Sequence, residues 1–123
     1  MNANHVLKFV HEPHVLDYIR EHCRGRENAI TAPDLTSKVT FRSGFHFSER
    51  MIREVISNLR KEGHPIASAV NEPAGYFWPV TEDEARQVIG HFYSRLKEIS
   101  AIARGVEHGL QEMFPAGQMK LEI

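Results

Sequence analysis

The sequence predicts a mainly helical protein that carries one small β-hairpin and has a long C-terminal helix. Three observations lead to this prediction. Apolar residues recur at helical spacing through the first half of the chain, and two short apolar runs flank the turn-forming segment NEPAG. A heptad pattern then follows through most of the remaining sequence. The 123 residues suffice for one domain with a buried core.

The first two helices are predicted over 13–23 and 32–39. Pro13 suits the first turn of a helix, and a glycine follows the end of the first apolar stripe. Thr31, with Asp34 three residues later, has the spacing of a capping box and begins the second helix.

The most regular helix is predicted over Ser48–Gly63, after an irregular connection over 39–47. The connection, VTFRSGFHF, mixes aromatic and polar residues around a glycine. Ser48 is a favourable N-cap, and Gly63 ends the helix. One stripe of this helix is predicted to be buried and comprises Ile52, Val55, Ile56 and Leu59.

The hairpin is predicted from the apolar runs 66–70 and 75–80. Alternation along the second run places Tyr76 and Trp78 on one face and Phe77 on the other. Aromatic side chains in a hairpin beside an apolar helix are usually core residues, so we expect packing here rather than stacking on nucleic-acid bases.

A family resemblance rests on a pattern that runs through the predicted helix and hairpin. The residues that carry it are Ser48, Ile52, Ile56, Leu59, Arg60, Gly63, Gly75 and Tyr76. At these positions the chain resembles the recognition helix and wing of winged helix-turn-helix DNA-binding domains, such as those of the biotin operon repressor family and small bacterial and prophage regulators. The resemblance covers roughly residues 13–80. It departs from the family in the longer 39–47 connection and in the long terminal helix.

The resemblance implies a winged helix-turn-helix domain over 1–80, including an N-terminal arm, that binds duplex DNA. A transcription regulator or a replication accessory protein is expected. Helical spacing turns Arg50, Arg53, Ser57 and Lys61 away from the apolar stripe, where arginine, serine and lysine can contact bases and phosphates. Three further basic residues complete the predicted DNA-binding set: Lys38, Arg42 and Arg60. The segment Lys38–Lys61 has a local charge of +4 within a chain of net charge −1.

A long helix is predicted over 81–114, followed by a flexible tail over 115–123. Its apolar residues are spaced alternately by four and three positions, which is the pattern of a coiled-coil seam. Such a seam predicts a homodimer, and the expected dimer contacts are Ile89, Phe92, Leu96, Ile99, Ala103 and Val106. Packing of the same stripe within its own chain is the alternative. Gly105 and Gly109 predict fraying near the end of this helix.

Other functional classes have little support in the sequence. The eight histidines lack the spacing of a structural zinc site, and no phosphate-binding loop or nucleophile motif is present. We therefore predict no enzyme activity, cofactor or metal. The single cysteine and the lack of a long apolar run favour a cytoplasmic protein without a membrane partner. A winged-helix adaptor that binds protein instead of DNA is the alternative function.

Overall fold

A computed structural model describes residues 7–115 of the chain. Its regular elements are four α-helices and two strands: α1 (Glu12–His22), α2 (Ala32–Ser43), α3 (Glu49–Lys61), β1 (Ala67–Ala69), β2 (Gly75–Phe77) and α4 (Glu82–Met113). The predicted class, mainly helical with a small hairpin and a long last helix, is confirmed. Residues 1–6 of the predicted arm and 116–123 of the predicted tail lie outside the described part.

The chain divides into two compact units, Met1–Val88 and Ile89–Ile123. The first unit contains α1, α2, α3, the hairpin and the first residues of α4. The second contains the remainder of α4. The division therefore falls inside a helix and not in a linker.

The N-terminal part begins with a π-helical turn over Leu7–His11 that leads directly into α1. Pro13 lies in the first turn of α1, as predicted, where its missing N–H has no intrahelical role. Cys23 follows the helix and is buried, and this burial raises the pKa of its thiol to about 11.

The second helix is longer than the sequence predicts. Thr31 caps α2 by accepting a hydrogen bond from the N–H of Asp34, as predicted, but the helix extends to Ser43. The predicted irregular connection over 39–47 is therefore wrong for residues 39–43. Gly44 adopts a left-handed φ of 77° and donates its N–H to the carbonyl of Thr40, so this glycine ends a helix instead of marking the middle of a loop.

The third helix forms as predicted and supplies one side of the core. The Ser48 hydroxyl accepts the N–H of Met51 at 3.1 Å and caps α3. All four predicted apolar stripe residues are buried: Ile52, Val55, Ile56 and Leu59. They pack with side chains of α1, of α2 and of the loops before and after α3, which include Val15, Ile19, Leu35, Val39, Phe47 and Ile66.

The hairpin pairs β1 and β2 in an antiparallel register that sets Ser68 opposite Tyr76. A third segment joins this sheet, because Ile30 and Tyr76 exchange N–H···O bonds of 2.9 and 2.7 Å. Phe77 is buried, whereas Tyr76 and Trp78 are half-buried against the core. The predicted packing role of the three aromatics is thus confirmed.

Two polar groups hold the turn of the hairpin and the start of α4 to the segment after α1. The Arg26 guanidinium donates to the carbonyl oxygens of Asn71 and Pro73. The Glu84 carboxylate accepts the backbone N–H groups of Val80 and Arg26, each at 2.9 Å. These hydrogen bonds lower the pKa of Glu84, because they stabilise its ionised form.

The last helix, α4, runs without interruption through Gly105 and Gly109 to Met113. The helix therefore does not end at these glycines, because a cost of about 1 kcal/mol per glycine does not suffice to stop it. Its apolar side chains are exposed, including Ile89, Leu96, Ile99 and Val106. No helix among residues 7–115 has the length and apolarity needed to span a membrane.

Candidate nucleic-acid interface

The outward face of α3 carries the residues predicted to contact DNA. Arg50, Arg53, Ser57 and Lys61 are all exposed, while the opposite stripe of the same helix is buried. Because these positions are three or four residues apart, they follow one side of the helix. The structure thus brings together four of the seven predicted contact residues.

Two carboxylates also lie on this face and pair with the arginines. Arg50 Nε is 3.7 Å from Glu54, and Arg53 Nη2 is 3.6 Å from Glu49. The two arginine side chains are 88% and 63% exposed, so these ion pairs are screened by water and contribute roughly 0.3–0.5 kcal/mol each. A phosphate or a guanine edge can replace such a partner at low cost.

Three of the predicted contact residues are exposed and form no hydrogen bond or ion pair with any residue in the described range 7–115. They are Lys38, Ser57 and Lys61. Lys38 lies on α2 and not on α3. Its side chain is on the outer side of that helix, because Leu35 and Val39 face the core. These three residues remain candidates for contact with a polyanion.

Arg60 has a structural role that the sequence does not reveal. Its guanidinium donates to the carbonyl of Ile66 and to the hydroxyl of Ser68, both at 2.8 Å. It also lies over the Tyr76 ring, 5.8 Å from the ring centroid. Arg60 therefore joins α3 to both strands of the hairpin, and its guanidinium serves the fold and not the predicted DNA contact.

We expect Arg60→Ala to lower the free energy of unfolding by about 2 kcal/mol, because two hydrogen bonds and a cation–π contact are lost. Urea denaturation measures this change. Lys61→Ala is the matched control, since it truncates the next basic side chain and should change stability by less than about 0.5 kcal/mol. Loss of DNA binding by Arg60→Ala at unchanged stability would return Arg60 to the interface.

Arg42, the other basic residue outside α3, faces α1. Its guanidinium is 3.0 Å from Nε2 of His22 and 5.5 Å from the centroid of the Tyr18 ring. With Asp17 and Glu21 it lines a cleft of about 250 Å³ between α1 and α2. Arg42 is thus engaged by another helix, which separates it from the α3 residues.

The net charge of the interface is consequently lower than the sequence count indicates. The local charge of +4 includes Arg42 and Arg60, whose guanidinium groups are held by α1 and by the hairpin. On α3 itself, three basic side chains remain beside Glu49 and Glu54. The positive charge on the outward face of α3 is therefore smaller than the count over Lys38–Lys61 predicts.

Phe41 is a surface residue that the sequence reasoning missed. Its side chain is 89% exposed on α2, the largest exposed fraction among the large apolar residues described in the structure. The sequence contains a signal for this exposure. If the helix continues past residue 39, the spacing of Leu35 and Val39 places Phe41 outside the buried stripe. The prediction ended α2 too early to use it.

A buried carboxyl group lies on the side of α1 that meets the end of α3. Glu12 is 5% exposed, Asn58 Nδ2 is 3.5 Å from its Oε2, and Glu62 is nearby with an ion pair of 3.9 Å to Lys8. Burial and, secondarily, the Glu62 carboxylate raise the pKa of Glu12. The site therefore favours the protonated form of Glu12 more than water does.

Glu12→Gln is expected to stabilise the protein at pH 7. The folded pKa of Glu12 exceeds the unfolded value of about 4.3, so its contribution to stability is complete below that pH and is lost as pH rises through the folded pKa. Glutamine cannot ionise, so the gain over wild type should grow from pH 4 to pH 7 in urea denaturation. Glu98→Gln, at an exposed position, is the control. A gain that does not vary with pH would contradict this account.

No group of three or more histidine, cysteine or acidic side chains between residues 7 and 115 is arranged to hold a metal ion. Comparisons with protein-family models, curated proteins and solved structures find no match to this chain.

Proposed function

We propose that this chain is a winged helix-turn-helix protein that binds duplex DNA, as a transcription regulator or a replication accessory of bacterial or prophage type. The order of elements supports the proposal: three packed helices precede a hairpin, and α2 reaches α3 through the short connection 44–48. The extended residue Ile30, between α1 and α2, pairs with β2. A short strand in this position commonly completes the sheet of a winged helix.

The observation that carries the proposal is the division of α3 into two faces. Its apolar stripe is buried, and its other side presents Arg50, Arg53, Ser57 and Lys61 to solvent. A recognition helix in the major groove requires such a side, because arginine can bond a guanine edge through two N–H groups and lysine can contact phosphate. Arg50 and Arg53 lie in the N-terminal half of the helix, which usually approaches the bases.

The hairpin turn is expected to add little to DNA binding. The turn segment NEPAG contains no lysine or arginine, and Arg26 holds the carbonyls of Asn71 and Pro73 from within the chain. Phosphate contacts by the wing therefore lack a cation at the turn. The proposed interface is centred on α3.

Affinity for a mixed-sequence duplex, measured by fluorescence anisotropy from 50 to 200 mM salt, tests the proposal. Three or four phosphate contacts predict a slope of about −3 to −4 in a plot of log affinity against log salt concentration. Absence of binding at 50 mM salt would overturn the proposal. If binding is observed, a selection from random duplexes identifies the sequence that Arg50 and Arg53 read.

A winged-helix adaptor that binds protein is the second candidate, and Phe41 favours it. Its side chain is 89% exposed on α2, and a large exposed aromatic side chain can serve as an anchor in a protein–protein interface. Phe41→Ser tests whether this side chain contributes to DNA binding. It should leave affinity for duplex DNA within about twofold if DNA is the partner, because the phosphate contacts remain.

We further propose that α4 joins two copies of the chain. Residues of its seam are more than half exposed, including Ile89, Leu96, Ile99 and Val106. Apolar stripes of this length are normally covered in solution. We expect wild type to sediment as a dimer, and the double variant Leu96→Glu, Ile99→Glu to sediment as a monomer, because four carboxylates would enter the interface. Lys97→Glu, a charge change outside the seam on the same helix, should remain dimeric.

A further inference from the structure

The seam of α4 is apolar over a surface large enough for a stable interface between two copies. Seven large side chains on the seam or directly beside it contribute: Ile89, Phe92, Tyr93, Leu96, Ile99, Ile102 and Val106. Their exposed fractions range from 43% at Phe92 to 64% at Ile102. Together they expose roughly 800 Å² on each chain, which is the area that each partner buries in an interface of standard size.

The sizes of the seam residues distinguish the two possible orientations of such a pair. In a parallel pair each residue meets its own copy, so Phe92 faces Phe92 and Ala103 faces Ala103. One layer would be overfilled and another would leave a cavity, and both faults destabilise a packed core.

An antiparallel pair removes both faults. α4 extends from Glu82 to Met113, and the register that overlaps the two helices along their full length is also the one that sets seam residue against seam residue. In this register the small Ala103 lies opposite the large Phe92. The other central layers are medium-sized pairs, Leu96 with Ile99 and Ile89 with Val106.

Charge complementarity agrees with the same register. Arg86 and Glu107 occupy equivalent positions beside the seam, and antiparallel packing sets each of them opposite the other in the second chain. Within one chain Arg86 pairs with Glu82 at 2.5 Å, and both side chains are about three-quarters exposed, so the arginine can exchange partners. The parallel arrangement brings no opposite charges together at these two positions.

We infer that α4 forms an antiparallel two-helix homodimer centred between Lys97 and Glu98, with Phe92 of each chain packed on Ala103 of the other. The inference rests on the proposed dimer and not on DNA binding. In this pair the N-terminal ends of the two α4 helices lie about 48 Å apart, which is the length of a 32-residue helix.

Disulfide cross-linking of the full chain tests the orientation. Ile89→Cys and Val106→Cys are prepared as two proteins that carry tags of different mass, and they are oxidised separately and as a mixture. In the antiparallel pair residue 89 of one chain lies opposite residue 106 of the other, whereas like residues are about 25 Å apart, beyond the reach of a disulfide. We therefore expect a covalent dimer only in the mixture, containing one chain of each kind.

The native Cys23 does not obscure this test. It is 2% exposed and its pKa is about 11, so it is almost entirely protonated at pH 8 and inaccessible to oxidant. Wild type oxidised under the same conditions is the control and should remain uncross-linked. Homodimers of Ile89→Cys alone would overturn the antiparallel arrangement, as would a dimer in sedimentation that gives no cross-link in the mixture. A monomer in sedimentation would remove the proposed dimer itself.

The charge pair offers a second, independent measurement. Arg86→Glu should weaken the dimer about tenfold in sedimentation equilibrium, since two carboxylates then face each other at each end. Adding Glu107→Arg to the same chain should restore the wild-type dissociation constant. Failure of the second substitution to restore it would count against the register.

Discussion

Gly75→Ala is expected to unfold the N-terminal unit at room temperature or to leave it barely stable. Gly75 has a φ of 122°, a backbone conformation that residues with a Cβ rarely adopt. A Cβ at this position would lie 1.9 Å from the carbonyl oxygen of Ile30 and 2.6 Å from the backbone nitrogen of Thr31. Both atoms are backbone, so no side chain can rotate to relieve the clash.

The expected loss in Gly75→Ala is more than about 4 kcal/mol, a large part of the stability of a small domain. Movement of residue 75 away from Ile30 would break the two hydrogen bonds that join Ile30 to Tyr76. Circular dichroism with urea denaturation measures the loss.

Gly63→Ala is the matched control for Gly75→Ala. It has a similar positive φ of 101°, but a Cβ there would meet nothing within 4 Å. Only backbone strain of about 1–2 kcal/mol is expected. Equal losses in the two variants would show that the close approach of Gly75 to Ile30 does not govern this site.

The double variant Arg50→Glu, Arg53→Glu is expected to lose about a thousandfold in affinity for duplex DNA at low salt. Two charge-assisted contacts disappear, and two carboxylates then face the phosphates. Stability should change little, because both side chains are exposed and their ion pairs with Glu54 and Glu49 are weak. Fluorescence anisotropy and urea denaturation measure the two properties on the same samples.

Arg20→Glu provides the charge control for this variant. Arg20 is exposed on α1, where it pairs with Asp17 at 3.2 Å, and its substitution changes the net charge by the same amount per site. A loss of affinity in Arg20→Glu as large as that in the α3 variant would indicate general charge attraction. Unchanged DNA affinity in the α3 double variant would favour the protein-binding adaptor as the function of the chain.

The elements governed by local sequence signals could be predicted. α3 has a capping serine, a regular apolar stripe and a terminating glycine, and each signal acts within a few residues. The hairpin and the long α4 were predicted for similar reasons. The end of α2 was missed because Gly44 and the mixed aromatic and polar residues around it have the composition of a loop. Only the packing of Val39 and the left-handed cap at Gly44 show that the helix continues.

The direction of charged side chains could be predicted only in part. Helical spacing correctly turned Arg50 and Arg53 to the surface, because the period of the helix determines the face. It could not show that Arg60 reaches the hairpin, since that contact depends on where Ile66 and Ser68 lie in three dimensions. The burial of Glu12 was missed for the same reason, because a carboxylate in the first turn of a helix is usually solvated.

The bridge between Ile30 and Tyr76 also bears on the order in which the protein folds. The two residues are far apart in sequence, so their pairing closes a long loop, whereas α1, α2 and α3 are linked by short connections. Loop-closure entropy delays such a contact until the intervening helices have collapsed. The transition state for folding should therefore contain the three helices and lack the docked hairpin, and the hairpin should be the first element to detach in partial unfolding.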